Sequence, residues 1–233
     1  MTRITPESFP DAESLAVAVA DRLDREVRAA VSARGVANVA LSGGRTYRRA
    51  YELLAERASG WRDTHLWYAD ERCVPPDDPE STHRLVVETL LAQDPAGVTE
   101  HRILGELDDP DSAARAYAGE LRSTILDVVL LGLGEDGHTA SLFPYSTELD
   151  TFTGGPRVLA VRDAPKPPPN RVTLTLETLG KARALVLAAS GEGKRDALRK
   201  ALGSPSPATP ASLLRRDRLT VLADADALGR AVG

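Results

Sequence analysis

The run Val128-Val129-Leu130-Leu131-Gly132-Leu133 is the most hydrophobic stretch of the chain, and it breaks into the turn Gly132-Leu133-Gly134-Glu135-Asp136-Gly137. An unbroken apolar run stopped by glycines is the pattern of a strand buried on both faces; a strand with one wet face would alternate. Val36–Leu41, Thr64–Ala69, Leu185–Ala189 and Leu219–Ala223 read the same way. Between them lie helix-period segments. Asp11 is an N-cap for a long amphipathic helix that Gly35 stops, with Leu15, Val19, Leu23 and Val27 on its apolar face. Further helices are expected over Thr46–Ala58, Ser81–Leu91, Ser112–Leu121 and Lys194–Leu202, with a short one after the glycine turn that Pro144 ends. Strands alternating with helices predict an α/β, Rossmann-like fold: a mostly parallel sheet flanked by helices. Two more strands, Arg157–Val161 and Arg171–Thr175, flank a proline loop, and the length of 233 residues allows one domain with a small additional lobe. Ser204–Pro210 is too short to divide two domains, and no internal repeat is present, so residues 1–233 are read as one domain.

Composition then narrows the class. Hydrophobic residues at 42% and charged residues at 27% describe a soluble globular chain. No apolar stretch is long enough to span a bilayer, and the N-terminus lacks a signal-like apolar region, so the expected location is cytoplasmic. Cys73 is the single cysteine, which leaves no intrachain disulfide and no cysteine-rich zinc site. A net charge of −5 without a basic tract argues against nucleic-acid binding. A small anionic substrate needs only a local cluster of cations. Lysine occurs at Lys166, Lys181, Lys194 and Lys200 alone, and no obligate protein partner is evident.

In parallel sheets ligands sit at the carboxyl ends of the strands. Three polar clusters fall there, after Leu41, after Ala69 and after Leu133. In the first, Ser42-Gly43-Gly44-Arg45-Thr46, glycines let backbone N–H groups approach an anion at a helix N-terminus, and Thr46 can add a hydroxyl. The same string also suits a plain tight turn with a helix cap, and it lacks the lysine of a Walker loop. In the second, Asp70-Glu71-Arg72 sets a cation beside carboxylates, and Arg72 can grip substrate oxygens in bidentate fashion; a solvated salt bridge is the alternative. Cys73 beside it reads as a small buried residue.

The third cluster, Gly132 through Ser141, is the sharpest. Its first six residues satisfy G-x-G-x-x-G, yet His138 and Thr139 follow at once, Pro144 interrupts, and no acid-tipped strand follows at the dinucleotide spacing. A dinucleotide cofactor is not expected. His138 is instead presented to the cleft, where an imidazole can take a proton from water near neutral pH, with Asp136 fixing its tautomer. His65, His83 and His101 read as hydrogen-bonded structural histidines. An isolated Asp-x-His does not make a metal site, so no metal is expected. Lys166 and Arg171 bracket a rigid proline loop that can hold two cations at little entropic cost, although taken alone the segment reads as a surface loop.

Together these segments resemble the 6-phosphogluconolactonase family, within the larger group that includes glucosamine-6-phosphate deaminases. The resemblance runs from about Val36 to Ala223 and rests on three strings. Most specific is Gly134-Glu135-Asp136-Gly137-His138-Thr139-Ala140-Ser141-Leu142-Phe143-Pro144. The others are Ala69-Asp70-Glu71-Arg72-Cys73-Val74-Pro75 and Pro165-Lys166-Pro167-Pro168-Pro169-Asn170-Arg171-Val172-Thr173-Leu174-Thr175. The chain departs from the family pattern at Arg45-Thr46-Tyr47, where Ser-Thr-Pro is usual, and at Thr82, where asparagine is usual. The resemblance implies hydrolysis of 6-phospho-D-glucono-1,5-lactone to 6-phospho-D-gluconate in the oxidative pentose phosphate pathway, without cofactor or metal. It implies His138 as the general base, Asp136 as its orienting group, and Arg72 with Asp70 and Glu71 as the polar side of the site. Lys166, Arg171 and the Ser42-Gly43-Gly44-Thr46 loop would hold the phosphate. A deaminase of the same group is the nearest alternative, although the segment after its histidine resembles Ala-Phe-Asn-Glu-Pro, which Thr139–Pro144 does not match. A non-enzymatic sugar-phosphate sensor is another, with no need for His138 beside Asp136.

Overall fold

The computed structural model describes residues 4–57, 61–93, 97–150 and 153–229. Helix α1 (Ala12–Arg34) starts where Asp11 accepts a hydrogen bond from the Ser14 amide and stops where Gly35 turns left-handed. Its buried stripe includes Leu15, Val19, Leu23 and Val27, the period that the sequence predicts. Helix α2 (Arg45–Ala55) follows strand β2 (Ala37–Leu41), and Ala58, the expected end of α2, lies outside the described residues.

Among the described residues a sheet of seven strands runs in the order β1 (Glu7–Phe9), β10 (Leu219–Asp224), β9 (Ala184–Ala189), β6 (Val128–Gly132), β2, β3 (Thr64–Tyr68) and β5 (Val98–Glu100). Every neighbouring pair is parallel. The middle strands are buried along almost their whole length, which is why they read as continuous apolar runs. The edge strands β1 and β5 escape the sequence reading because they are three residues long and mostly polar. Around the sheet stand α1, α2, α3 (Thr82–Glu88), α4 (Pro110–Leu121), α5 (Leu176–Lys181), α6 (Arg195–Ala201) and α7 (Ala225–Leu228).

Two expectations are corrected. Asp70-Glu71-Arg72 is not a loop at a strand end; it is strand β4 (Asp70–Arg72), paired antiparallel with β8 (Arg171–Leu174), which pairs in turn with β7 (Val158–Val161). This three-stranded sheet is the additional lobe. No helix follows the glycine turn either. Ala140 takes a left-handed φ of 48°, Thr139 bridges to Leu142, and the Ser141 amide donates sideways to the Thr173 hydroxyl at 3.2 Å. Those bonds consume the donors that a helix there would need.

Strand order reverses between β2 and β6: β3 and β5 lie on one side, β9, β10 and β1 on the other. Loops leaving β2 and β6 at their carboxyl ends therefore diverge and open a crevice, the position where parallel sheets bind ligands.

Candidate active site

The turn after β6 is built around its glycines. The Gly134 amide donates to the His138 carbonyl at 2.8 Å and the Gly137 amide to the Gly134 carbonyl at 3.0 Å. Gly137 has a φ of 90°, which an L-residue rarely adopts, and a Cβ there would meet Thr209 at 2.8 Å. A Cβ on Gly134 would fall on the His138 ring and the Asp136 carboxylate. Gly134 of the G-x-G-x-x-G string thus makes room for a histidine–aspartate pair.

In that pair His138 Nδ1 lies 2.5 Å from Asp136 Oδ1. Burial opposes ionisation of Asp136, but the hydrogen bond and charge of His138, with the charge of Lys166, outweigh it and hold the carboxyl far below its ordinary value. An ionised carboxylate only accepts, so Nδ1 carries the hydrogen of this bond, and in the neutral ring Nε2 is the nitrogen with the lone pair. The imidazole is 18% exposed and rests against the Phe143 ring at 4.8 Å.

His138 lines a cavity of about 630 Å³ that also takes in Ser42, Gly43, Gly44 and Thr46 after β2, Asp70 and Arg72 in β4, and Lys166 and Arg171 from the proline loop and β8. The size suits a small ligand. Lys166 Nζ stands 3.5 Å from Asp136 Oδ1. Arg171 is 4% exposed, with its guanidinium donating to the carbonyls of Lys166, Pro167 and Pro168 and lying 5.6 Å over the Phe143 ring. Burial lowers its pKa, and the charge of Asp70 opposes that only in part. Asp70 accepts from the Ser141 hydroxyl at 2.6 Å, and Arg72 is steadied by the carbonyl of Glu80. The Ser42 hydroxyl is committed to the Leu130 carbonyl at 2.7 Å, which ties β2 to β6 at the crevice.

Of the candidate residues, Asp136 and Glu71 are not in the cavity wall: Asp136 meets it through His138, and Glu71 is held elsewhere. Glu71 is buried, and its carboxylate accepts from the amides of Arg72, Thr82 and His83 and from the Ser81 hydroxyl. These bonds support the start of α3. Cys73 is half-buried, and burial, with the charge of Glu71, pushes its thiol up to about 11. The other histidines are held by neighbours: His83 by Glu100 at 2.8 Å, His65 by His101 at 2.8 Å, and His101 by Glu120 at 3.1 Å.

The cavity also contains residues that the sequence reading passes over: Arg45, Glu135, Ser190 and Lys194. Lys194 is half-buried in the wall, and desolvation lowers its pKa against the pull of Glu135. It is delivered by Ser190-Gly191-Glu192-Gly193, a turn pinned where Asp224 accepts from the Ser190 hydroxyl at 2.5 Å and the Gly191 amide at 3.0 Å. The signal was there to find, since glycines again follow a buried strand, Ala184–Ala189. Among the described residues no three His, Cys, Asp or Glu side chains converge in a way that would hold a metal ion. Among the described residues no helix is long and apolar enough to cross a membrane.

Comparison with known proteins agrees with this geometry. Residues 10–222 match the family described as glucosamine-6-phosphate isomerases/6-phosphogluconolactonase. A 6-phosphogluconolactonase of Mycobacterium tuberculosis is 36% identical over 96% of this chain and 97% of its own length. One from Rhizobium meliloti is 36% identical over 84% of this chain and 86% of its own. The crystal structure of a 6-phosphogluconolactonase from Shewanella baltica superposes with a TM-score of 0.87 at 31% identity, covering 96% of this chain and 99% of that one. A monomeric glucosamine-6-phosphate deaminase shares the fold at 22% identity, with a TM-score of 0.79 over 98% of this chain and all of its own. With its parallel sheet, its strand-end crevice and a family match over nearly its whole length, this chain belongs to the glucosamine-6-phosphate isomerase/6-phosphogluconolactonase family.

Proposed function

We propose that this chain is a 6-phosphogluconolactonase: it hydrolyses 6-phospho-D-glucono-1,5-lactone to 6-phospho-D-gluconate, the ring-opening step of the oxidative pentose phosphate pathway. The observation that carries this reading is the His138–Asp136 pair, with Nε2 left to accept a proton, on the wall of a cavity rich in cations. His138 takes a proton from water as the water oxygen attacks the lactone carbonyl. The tetrahedral intermediate collapses, the bond from the carbonyl carbon to the ring oxygen breaks, and the imidazolium returns its proton to that oxygen. Neither redox change nor a covalent enzyme intermediate is required.

Asp136 orients the ring, and Asp70 and Arg72 order the polar side of the site. The phosphate is held by the Gly43–Gly44 turn and Thr46 together with Arg171, Lys166 and Lys194. Oxyanion stabilisation falls to cations and amides of the same wall, a contribution of roughly 3 kcal/mol per donor in comparable sites. Residues 1–233 act as one unit, since the cavity draws on loops from β2 through β9, and the enzyme works in the cytosol. The test is hydrolysis of freshly generated 6-phosphogluconolactone, corrected for spontaneous opening. Turnover no faster than the uncatalysed rate sinks the proposal.

A further inference from the structure

Asp136 Oδ1 faces two residues at once: His138, through Nδ1 at 2.5 Å and its amide at 3.3 Å, and Lys166, through Nζ at 3.5 Å. Lys166 makes no other side-chain ion pair or hydrogen bond among the described residues, and its side chain is 42% exposed. Its carbonyl, by contrast, accepts from Arg171, so the backbone is anchored while the ammonium is at liberty to swing. A half-exposed ion pair of this kind is weak and readily exchanged. A phosphate dianion entering the same cavity is the stronger acceptor, because the Asp136 oxygen already shares its charge with an imidazole.

On the reading of this site as a lactonase, we propose that Lys166 exchanges partners during turnover. It rests on Asp136 in the free protein and moves to the substrate phosphate in the complex, so that His138 becomes a stronger base only when phosphorylated substrate is bound. The electrostatics give the sign. A cation on Asp136 offsets part of the negative charge that stabilises the imidazolium; taking the cation away lets the imidazolium form at higher pH. The other charged groups sharing this cavity are Glu135 on the same turn, Asp70 and Arg72 from β4, Arg171 from β8 and Lys194 from the turn after β9. Arg45, Arg49 and Glu13 stand around the start of α2 and the facing turn of α1. All of them stay in place when Lys166 alone is replaced, so the comparison isolates its charge. Lys166 is then a positioning residue for the base as well as a ligand of the phosphate.

The experiment is a set of pH–rate profiles for the wild type, Lys166→Met and Lys166→Arg on two lactones. Unphosphorylated gluconolactone reports the free protein through kcat/KM and carries no phosphate to titrate. Phosphorylated lactone at saturation reports the complex through kcat. The expected result is that Lys166→Met moves the acid limb of kcat/KM for gluconolactone to higher pH by about half a unit to one unit. Lys166→Arg restores it, and the acid limb of kcat for the phosphorylated lactone keeps its position in all three proteins. Equal movement of both limbs overturns the exchange, because Lys166 would then stay on Asp136 in the complex. Movement of neither limb, or of the kcat limb alone, overturns the coupling itself. Failure of the underlying function shows separately, as wild-type protein that opens the phosphorylated lactone no faster than buffer.

Discussion

At the scale of single residues the site depends on one imidazole and on the space around it. His138→Ala should lower kcat by a factor of about 10² to 10⁴ and leave KM much less changed, because a base acts chiefly in the transition state. Asp136→Asn should cost less, since the base survives without its anionic partner; steady-state kinetics on folded proteins compare the two. Gly134→Ala is a more pointed substitution. The backbone there is not in the left-handed region, so alanine is tolerated by the main chain, but its Cβ would occupy the place of the His138 ring and the Asp136 carboxylate. We expect turnover to fall about as far as in His138→Ala, with a thermal midpoint close to that of the wild type. A large loss of stability with intact specific activity would show that the turn, and not the imidazole, gives way.

The elements hold the site at two levels. Helix α1 packs against β2 and α2, and its start is set by the Asp11 cap, 2.7 Å from the Ser14 amide. Asp11→Ala should therefore lower the thermal midpoint by roughly 2–4 °C with unchanged kcat. The turn after β9 and the start of β8 instead present charge to the cavity. Lys194→Ala and Arg171→Ala should each reduce kcat/KM for the phosphorylated lactone by about ten- to a hundredfold, the worth of one charge-assisted hydrogen bond. Hydrolysis of unphosphorylated gluconolactone should barely respond to either change. Equal losses on both substrates would place the phosphate elsewhere. Asp224 underlies this turn, since it fixes Ser190 and Gly191 and caps α7 through the Ala227 amide at 2.8 Å.

Across the whole molecule the carboxylates set the acid limit of stability. Asp136, Glu100 and Asp24 are each held below their ordinary range: burial opposes this in all three, and hydrogen bonds and neighbouring cations overcome it. A carboxylate with a depressed folded-state pKa stabilises the fold above its unfolded value, and that contribution is lost as pH falls toward the folded value. Glu71, raised by burial, acts in the opposite sense. Because depressed carboxylates, Asp109 and Glu106 among the others, outnumber Glu71, the urea midpoint should hold down to about pH 5 and decline below about pH 4. A midpoint that rises on acidification would mean that the buried Glu71 dominates.

What the sequence determined by itself was whatever depends on local chemistry. Buried parallel strands must be continuously apolar, so Val128–Gly132 and Ala184–Ala189 were legible, and Asp11 and Gly35 marked the ends of α1 to the residue. The Asp136–His138 pair was legible because both partners sit on one turn. Tertiary structure decided what depends on distant partners. Asp70–Arg72 became a strand only because Arg171–Thr173 lie alongside, and Glu71 left the cavity because the amides that start α3 claim it. Residues 139–142 stayed non-helical because Ser141 finds Thr173 across the lobe and Asp70 below it. Lys194 reached the cavity, and Lys166 reached Asp136, through chain reversals between strands far apart in sequence. A short polar segment has no periodicity of its own to announce such partners; its conformation is set by whichever hydrogen-bond donors and acceptors the fold brings within reach.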